Sequence, residues 1–200
     1  MFYQFLLVNK RVIIRLWYAL LIGWFLFFLA SIELTPVSFW IFVGKKTATL
    51  SLITFWITLL PGMMKRFQIA GWLLPVRTLL MLYRRQLGVT MYVLALTHLL
   101  WSRFLPTLTA GGDIWLFSPF EIAGLFAFIL LTPIFITSND WSVINLKSWW
   151  DTIHSLVYVV IWLLFLHVGL QTAGWKALVT LIIASLEAFS LFSARLRAAN

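Results

Sequence analysis

The sequence predicts an all-α polytopic membrane protein, six transmembrane helices in one bundle with both termini cytoplasmic. Three observations carry that expectation. Of 200 residues, 62% are hydrophobic and only 10% charged, more apolar surface than one soluble core of this size can bury. Six apolar runs approach or reach the roughly 20 residues needed to cross a hydrocarbon core of about 30 Å. The basic residues between the runs alternate in abundance, as the positive-inside rule requires.

Taken in order, the runs are residues 16–32, 47–64, 87–105, 119–136, 149–170 and 175–192. Lys10, Arg11 and Arg15 precede the first, which is longer than a signal-peptide core and is followed by no A-x-A site, so it is expected to be retained. Segment 69–83, interrupted by Pro75 and Arg77, is expected to lie at the interface or to extend the third span into the cytoplasm. The linkers have no room for a folded domain, so residues 1–200 read as a single membrane domain.

With the N-terminus inside, eleven Lys and Arg fall on the cytoplasmic side (Lys10, Arg11, Arg15, Lys65, Arg66, Arg77, Arg84, Arg85, Lys147, Arg195 and Arg197). Four fall outside: Lys45, Lys46, Arg103 and Lys176. Trp17, Tyr18, Trp101, Trp149, Trp150 and Trp175 stand near span ends, as an interfacial aromatic belt does. The net charge of +9 therefore serves topology, and with 12 Trp and 18 Phe in apolar runs the chain has no solvated basic domain to offer nucleic acid. There is no cysteine, which excludes disulfides, iron-sulfur clusters and covalently attached c-type haem.

Chemistry is expected at the three histidines, His98, His154 and His167, all inside predicted spans, where an ionisable group is costly. For any one alone, a neutral imidazole bonded to a backbone carbonyl or a neighbouring helix is an equal reading. Depth argues for a shared role. His98 lies five residues before Arg103 and His167 four before Gln171, so their levels agree within about one turn and they can share an iron. His154, thirteen residues before His167, lies about 20 Å lower at a rise of about 1.5 Å per residue, where it would serve an inner haem. Those thirteen residues also leave the two rings about 140° apart on an ideal helix, so either the helix is irregular or the haems approach from different sides. Arg84, fourteen residues before His98, returns to nearly the same face. Its guanidinium has no free lone pair, so it is expected to pair with a haem propionate or simply to anchor topology.

Several ordered pieces carry a resemblance. They are Gly44-Lys45-Lys46-Thr47-Ala48, Leu60-Pro61, Arg84-Arg85-Gln86-Leu87-Gly88, Thr97-His98-Leu99, Thr137-Ser138, and Trp150, His154, Val157-Tyr158 and His167. Together they resemble the ferric reductase-like transmembrane domain family over about residues 44–171, and within it the branch of haem-binding membrane subunits that serve periplasmic methionine sulfoxide reductases. The resemblance implies two stacked b haems held by paired histidines on the third and fifth spans. It casts His98, His154 and His167 as iron ligands, and Arg84 and Trp150 as cofactor-binding. Arg84 stands where the related NADPH oxidases have histidine, which leaves the number of haems at one or two. The resemblance further implies a bacterial inner membrane, a cytoplasmic flavin reductase or a quinol as donor, and a periplasmic molybdopterin reductase as acceptor.

No dinucleotide fingerprint or phosphate-binding glycine run occurs, so the chain is expected to be an electron-transfer subunit rather than a complete enzyme, its flavin or quinone supplied by a separate partner. Glu187, about six residues from the inner end of the sixth span, could relay protons or bind quinol, or could pair with an arginine. Glu33, Asp113, Glu121, Asp140 and Asp151 read as solvated or capping groups. Gly111-Gly112 reads as an outer turn, and Gly88 and Gly124 as places where haem or a helix comes close. Two other functions compete: a haem-free structural or assembly subunit of a larger membrane complex, and a proton-coupled transporter.

Overall fold

The computed structural model describes residues 2–69 and 71–199. Among them there is no strand. The helices are α1 (Phe2–Val8), α2 (Lys10–Ala30), α3 (Val37–Arg66), α4 (Leu74–Leu99), α5 (Leu105–Thr109), α6 (Pro119–Ile136), α7 (Asp140–Leu146), α8 (Ser148–Ser155), α9 (Val157–Gln171) and α10 (Trp175–Ala199). A π-helical turn, Leu100–Phe104, joins α4 to α5.

Among the described residues, five helical stretches are long and apolar enough to cross a membrane: Lys10–Ala30, Val37–Arg66, Pro119–Ile136, Ser148–Gln171 and Trp175–Ala198. The third expected span, 87–105, is helical throughout but is not among them. Its helix begins at Leu74 and carries Arg77, Arg84 and Arg85, and its α winding ends at Leu99. Pro75 does not interrupt it. Proline in the first turn gives up an N–H that has no intrahelical partner anyway, so α4 starts there and residues 74–86 extend the same helix ahead of the expected span.

The chain divides into two compact units. The first comprises Met1–Phe55 and Leu82–Ile114. Phe28, Trp40, Val43 and Trp101 form its buried cluster, with Trp101 fully enclosed and its ring edge-on to Phe28 at 6.0 Å. Along α4, Tyr83, Gln86 and Thr90 lie on one face at helical spacing and each meets a polar group. Tyr83 donates to the Leu6 carbonyl at 2.9 Å, Gln86 to the Tyr18 hydroxyl at 3.4 Å, and Trp17 donates to Thr90 at 2.8 Å. Ser51 on α3 donates to the Met91 carbonyl at 2.9 Å. Such bonds hold helices where lipid offers no hydrophobic drive between them. At the end of α5, Gly111 takes a φ of +67°, and the N–H groups of Gly111 and Gly112 return to the carbonyls of Leu108 and Thr107 at 3.1 and 2.9 Å. The expected glycine turn is thus a Schellman stop.

The second unit comprises Trp56–Met81 and Trp115–Asn200. Ser118 caps α6 reciprocally with Glu121, its N–H and hydroxyl both reaching one carboxylate oxygen at 2.8 and 2.7 Å. Ala123, Ala127 and Leu131 form the buried stripe of α6 at a four-residue repeat, small enough for α9 to lie close. Val160 and Ile161 are the buried residues of α9, which packs α10 as well. At the end of α3, Arg66 forms an ion pair with Glu187 of α10, donates to Ser190 at 2.7 Å and to the Tyr158 hydroxyl at 3.3 Å, and its guanidinium lies 5.8 Å from the Tyr158 ring centre. Glu187 therefore pairs with an arginine, and does so almost fully buried, at 3% exposure.

Replacing Glu187 by Gln leaves the partly buried Arg66 guanidinium without its counter-ion. Unfolding in detergent should register a loss smaller than the ~3–5 kcal/mol of a fully buried pair, while Arg66→Met/Glu187→Leu, which removes both charges, should cost clearly less.

Candidate functional site

His98 stands on α4 one residue before the α winding gives way to the π turn. Its Nδ1 lies 3.0 Å from the Gly44 carbonyl oxygen and 3.1 Å from Ser102 Oγ. A carbonyl can only accept, so the ring's proton is on Nδ1 and a neutral imidazole then carries its lone pair on Nε2. Gly44 makes the approach possible: a Cβ there would fall 2.0 Å from Ser102 Oγ and 2.8 Å from the Ser102 backbone nitrogen. Half-buried Arg103 lies in the π turn, five residues after His98. Arg103 in turn donates to the Thr107 hydroxyl.

His167, on α9, is seated the same way. Its Nδ1 lies 2.7 Å from the Phe120 carbonyl oxygen, again fixing the proton on Nδ1 and the lone pair on Nε2. The Phe120 ring lies beside the imidazole at 5.9 Å between centres. Gly124, one turn along α6 from Phe120, faces the ring: a Cβ there would fall 2.6 Å from Nδ1 and 2.8 Å from Cε1.

His154, on α8, is held differently. Trp150 stacks on it at 4.0 Å with 24° between the planes, as the four-residue spacing on one helix allows. Trp150 Nε1 donates to the Thr137 carbonyl at 3.1 Å, and Thr137 Oγ1 lies 3.2 Å from His154 Nε2. The one hydroxyl proton of Thr137 goes to the Pro133 carbonyl at 2.7 Å, so His154 donates through Nε2 and, when neutral, keeps its lone pair on Nδ1.

The structure thus brings Trp150 and His154 into one cluster and seats His167 separately, against another part of α6. Arg84 is exposed on α4. The fifth expected span is irregular between its histidines. α8 stops at Ser155, and Leu156 N–H bonds Ile153 O at 3.1 Å while Val159 N–H bonds Leu156 O at 2.9 Å. Three-residue closures wind tighter than an α-helix, so the angle between His154 and His167 is narrower than an ideal helix gives. Ser102 and the Phe120 carbonyl had no signal in the sequence, the π turn had one in Pro106 that was not read, and Thr137 and Gly44 stood in the resembling motifs.

Among the described residues no three His, Asp or Glu side chains gather into a metal site. A porphyrin brings four nitrogens of its own and asks the protein only for axial donors, so neutral imidazoles with Nδ1 anchored and the lone pair on Nε2 fit that group.

Five helices of this length and apolarity define a multi-pass membrane protein, and two imidazoles seated on backbone carbonyls are its candidate site. The ferric reductase like transmembrane component family matches residues 47–165, and the chain belongs to that family. The protein-methionine-sulfoxide reductase heme-binding subunit MsrQ of Agrobacterium fabrum is 39% identical over 111 residues, 51% of this chain and 51% of that protein. MsrQ of Brucella anthropi is 33% identical over 99 residues, 48% of this chain and 44% of that protein, and MsrQ of Brucella ovis 33% over 110 residues, 52% and 50%. The chain spans about half the length of these curated relatives. No solved structure matches it.

Thr137→Val keeps the shape of the side chain and deletes the acceptor of His154 Nε2. Because Thr137 is buried, the variant should lose about 1–2 kcal/mol of stability, read as a lower denaturation midpoint. An unchanged midpoint would mean the cluster does not hold α6 to α8.

Proposed function

We propose that this protein is a b-haem-binding membrane subunit that passes electrons across a bacterial inner membrane to a periplasmic methionine sulfoxide reductase partner. The observation that carries the reading is the shared seat of His98 and His167. Each ring donates Nδ1–H to a backbone carbonyl and so keeps Nε2 as the donor atom. Their matched depth in the sequence supports a single iron between them. The printed name of the MsrQ relatives, heme-binding subunit, points the same way.

When bound, haem would supply one-electron redox chemistry that no side chain here can perform. The chain's own contribution is to fix ring orientation and tautomer, to surround the site with apolar side chains, and to keep water out. His154 is proposed as ligand of an inner haem, with Trp150 stacked on the imidazole and Arg84 available to a propionate. The electron donor is a separate cytoplasmic flavin reductase or a membrane quinol. Six spans with both termini cytoplasmic follow from the charge distribution, with residues 87–105 as the third.

A structural reading has one observation behind it, and only for His154. Its Nε2 donates to Thr137, the opposite arrangement from the other two rings.

The optical spectrum of the purified protein tests the reading. Sharp Soret and alpha bands should appear on dithionite reduction. His98→Ala and His167→Ala should each abolish the same, outer haem, while His154→Ala removes the inner one. Full haem content in all three variants would refute the ligand assignment, and full content in His154→Ala alone would make that residue structural.

A further inference from the structure

We infer that Gly44 and Gly124 are positioning residues for the two imidazoles, and that they act by leaving out a side chain where a ring must reach a backbone carbonyl. The inference rests on the reading of His98 and His167 as haem ligands and names what holds them.

Each seat uses a missing Cβ within its own unit, Gly124 facing the ring itself and Gly44 facing the turn that follows His98. A helical carbonyl is normally shielded by the side chains around it. On α6, Phe120 and Gly124 lie one turn apart, and the missing Cβ of Gly124 opens the groove that leads to the Phe120 oxygen. The His167 ring fills that groove so closely that a methyl group would overlap Nδ1, Cε1 and Cγ at 2.6, 2.8 and 3.1 Å. On α3, Gly44 supplies both the accepting carbonyl and the gap. The gap admits the π turn, because Ser102 Oγ, N and Cβ would lie 2.0, 2.8 and 3.0 Å from a Cβ at that position. One of those atoms is backbone, so no rotamer change relieves the clash, and the turn that places His98 against Gly44 O would have to move. Gly23 shows the contrast, since a Cβ there meets nothing within 4 Å.

The imidazole N–H···O bond sets how strongly Nε2 donates to iron, and the groove sets the plane of the ring. Both properties register in the low-spin ferric EPR signal and in the reduction potential, which packing alone would leave unchanged.

The experiment compares Gly124→Ala, Gly44→Ala and the control Gly23→Ala in the full chain, beside His167→Ala and His98→Ala. Gly124→Ala should shift or erase the low-spin signal that His167→Ala removes, and Gly44→Ala the signal that His98→Ala removes. Gly23→Ala should leave the spectrum as in the parent. Parental EPR and potential in both test variants would overturn the inference while leaving the ligands standing. Parental signals in the two histidine variants would overturn the ligand reading and the inference with it. If the glycine variants do not fold, pulsed EPR on the unmodified protein reads the quadrupole coupling of the remote imidazole nitrogen. A strongly hydrogen-bonded N–H on the axial rings supports the inference, and a weakly bonded one overturns it.

Discussion

A neutral imidazole has one proton and two nitrogens, and inside a bilayer both nitrogens must be accounted for. At His98 and His167 the proton is committed to a backbone carbonyl, an acceptor that cannot reverse the bond, and the lone pair is thereby assigned to Nε2. The rest of each seat exists to make that one bond possible: the glycine gap, the π turn after His98 and the small-residue face of α6. A purely structural histidine can also bond a carbonyl. What such a residue does not need is a neighbouring helix stripped of a Cβ against the ring, as at Gly124, or against the turn beside it, as at Gly44.

His154 marks the difference. There the acceptor is a hydroxyl already committed elsewhere, the ring lies flat on Trp150, and Nε2 is the nitrogen that donates. The two kinds of seat come from different local sequence. A histidine four residues after a tryptophan on one helix finds its neighbour automatically, whereas a histidine facing another helix needs that helix to open a path. The same economy of polar groups recurs away from the histidines. Arg66 enters the second unit's interior only with Glu187, Ser190 and Tyr158 around it.

Much of the fold was legible because hydropathy and chain length act locally. The span 119–136 begins and ends where the sequence placed it, since Ser118 and Glu121 form a cap that can be read directly. The fifth span was found to within one residue at each end and the sixth from its first residue, whereas the first two begin earlier, at Lys10 and Val37, and the sixth runs on to Ala199, because helices continue past the apolar run into Lys- and Arg-bearing turns. Pro75 was read as an interruption and stands instead in the opening turn of α4. The π turn was not read, although Pro106 follows it: a proline cannot donate to the Ser102 carbonyl four residues back and crowds it, which disturbs α winding over Leu100–Phe104. The three histidines were found from rarity and depth alone. Their partners at Gly44 and Phe120 were not, because a backbone carbonyl has no sequence signature.

The chain belongs to a family of transmembrane components and spans about half of its curated relatives, so its chemistry stands on the seats themselves. Near-infrared magnetic circular dichroism of the ferric protein tests them most directly, because the position of the charge-transfer band identifies both axial ligands. The account predicts the band of a low-spin haem with two neutral imidazoles. A high-spin spectrum, a band belonging to any other ligand pair, or a protein that carries no haem at all would contradict it.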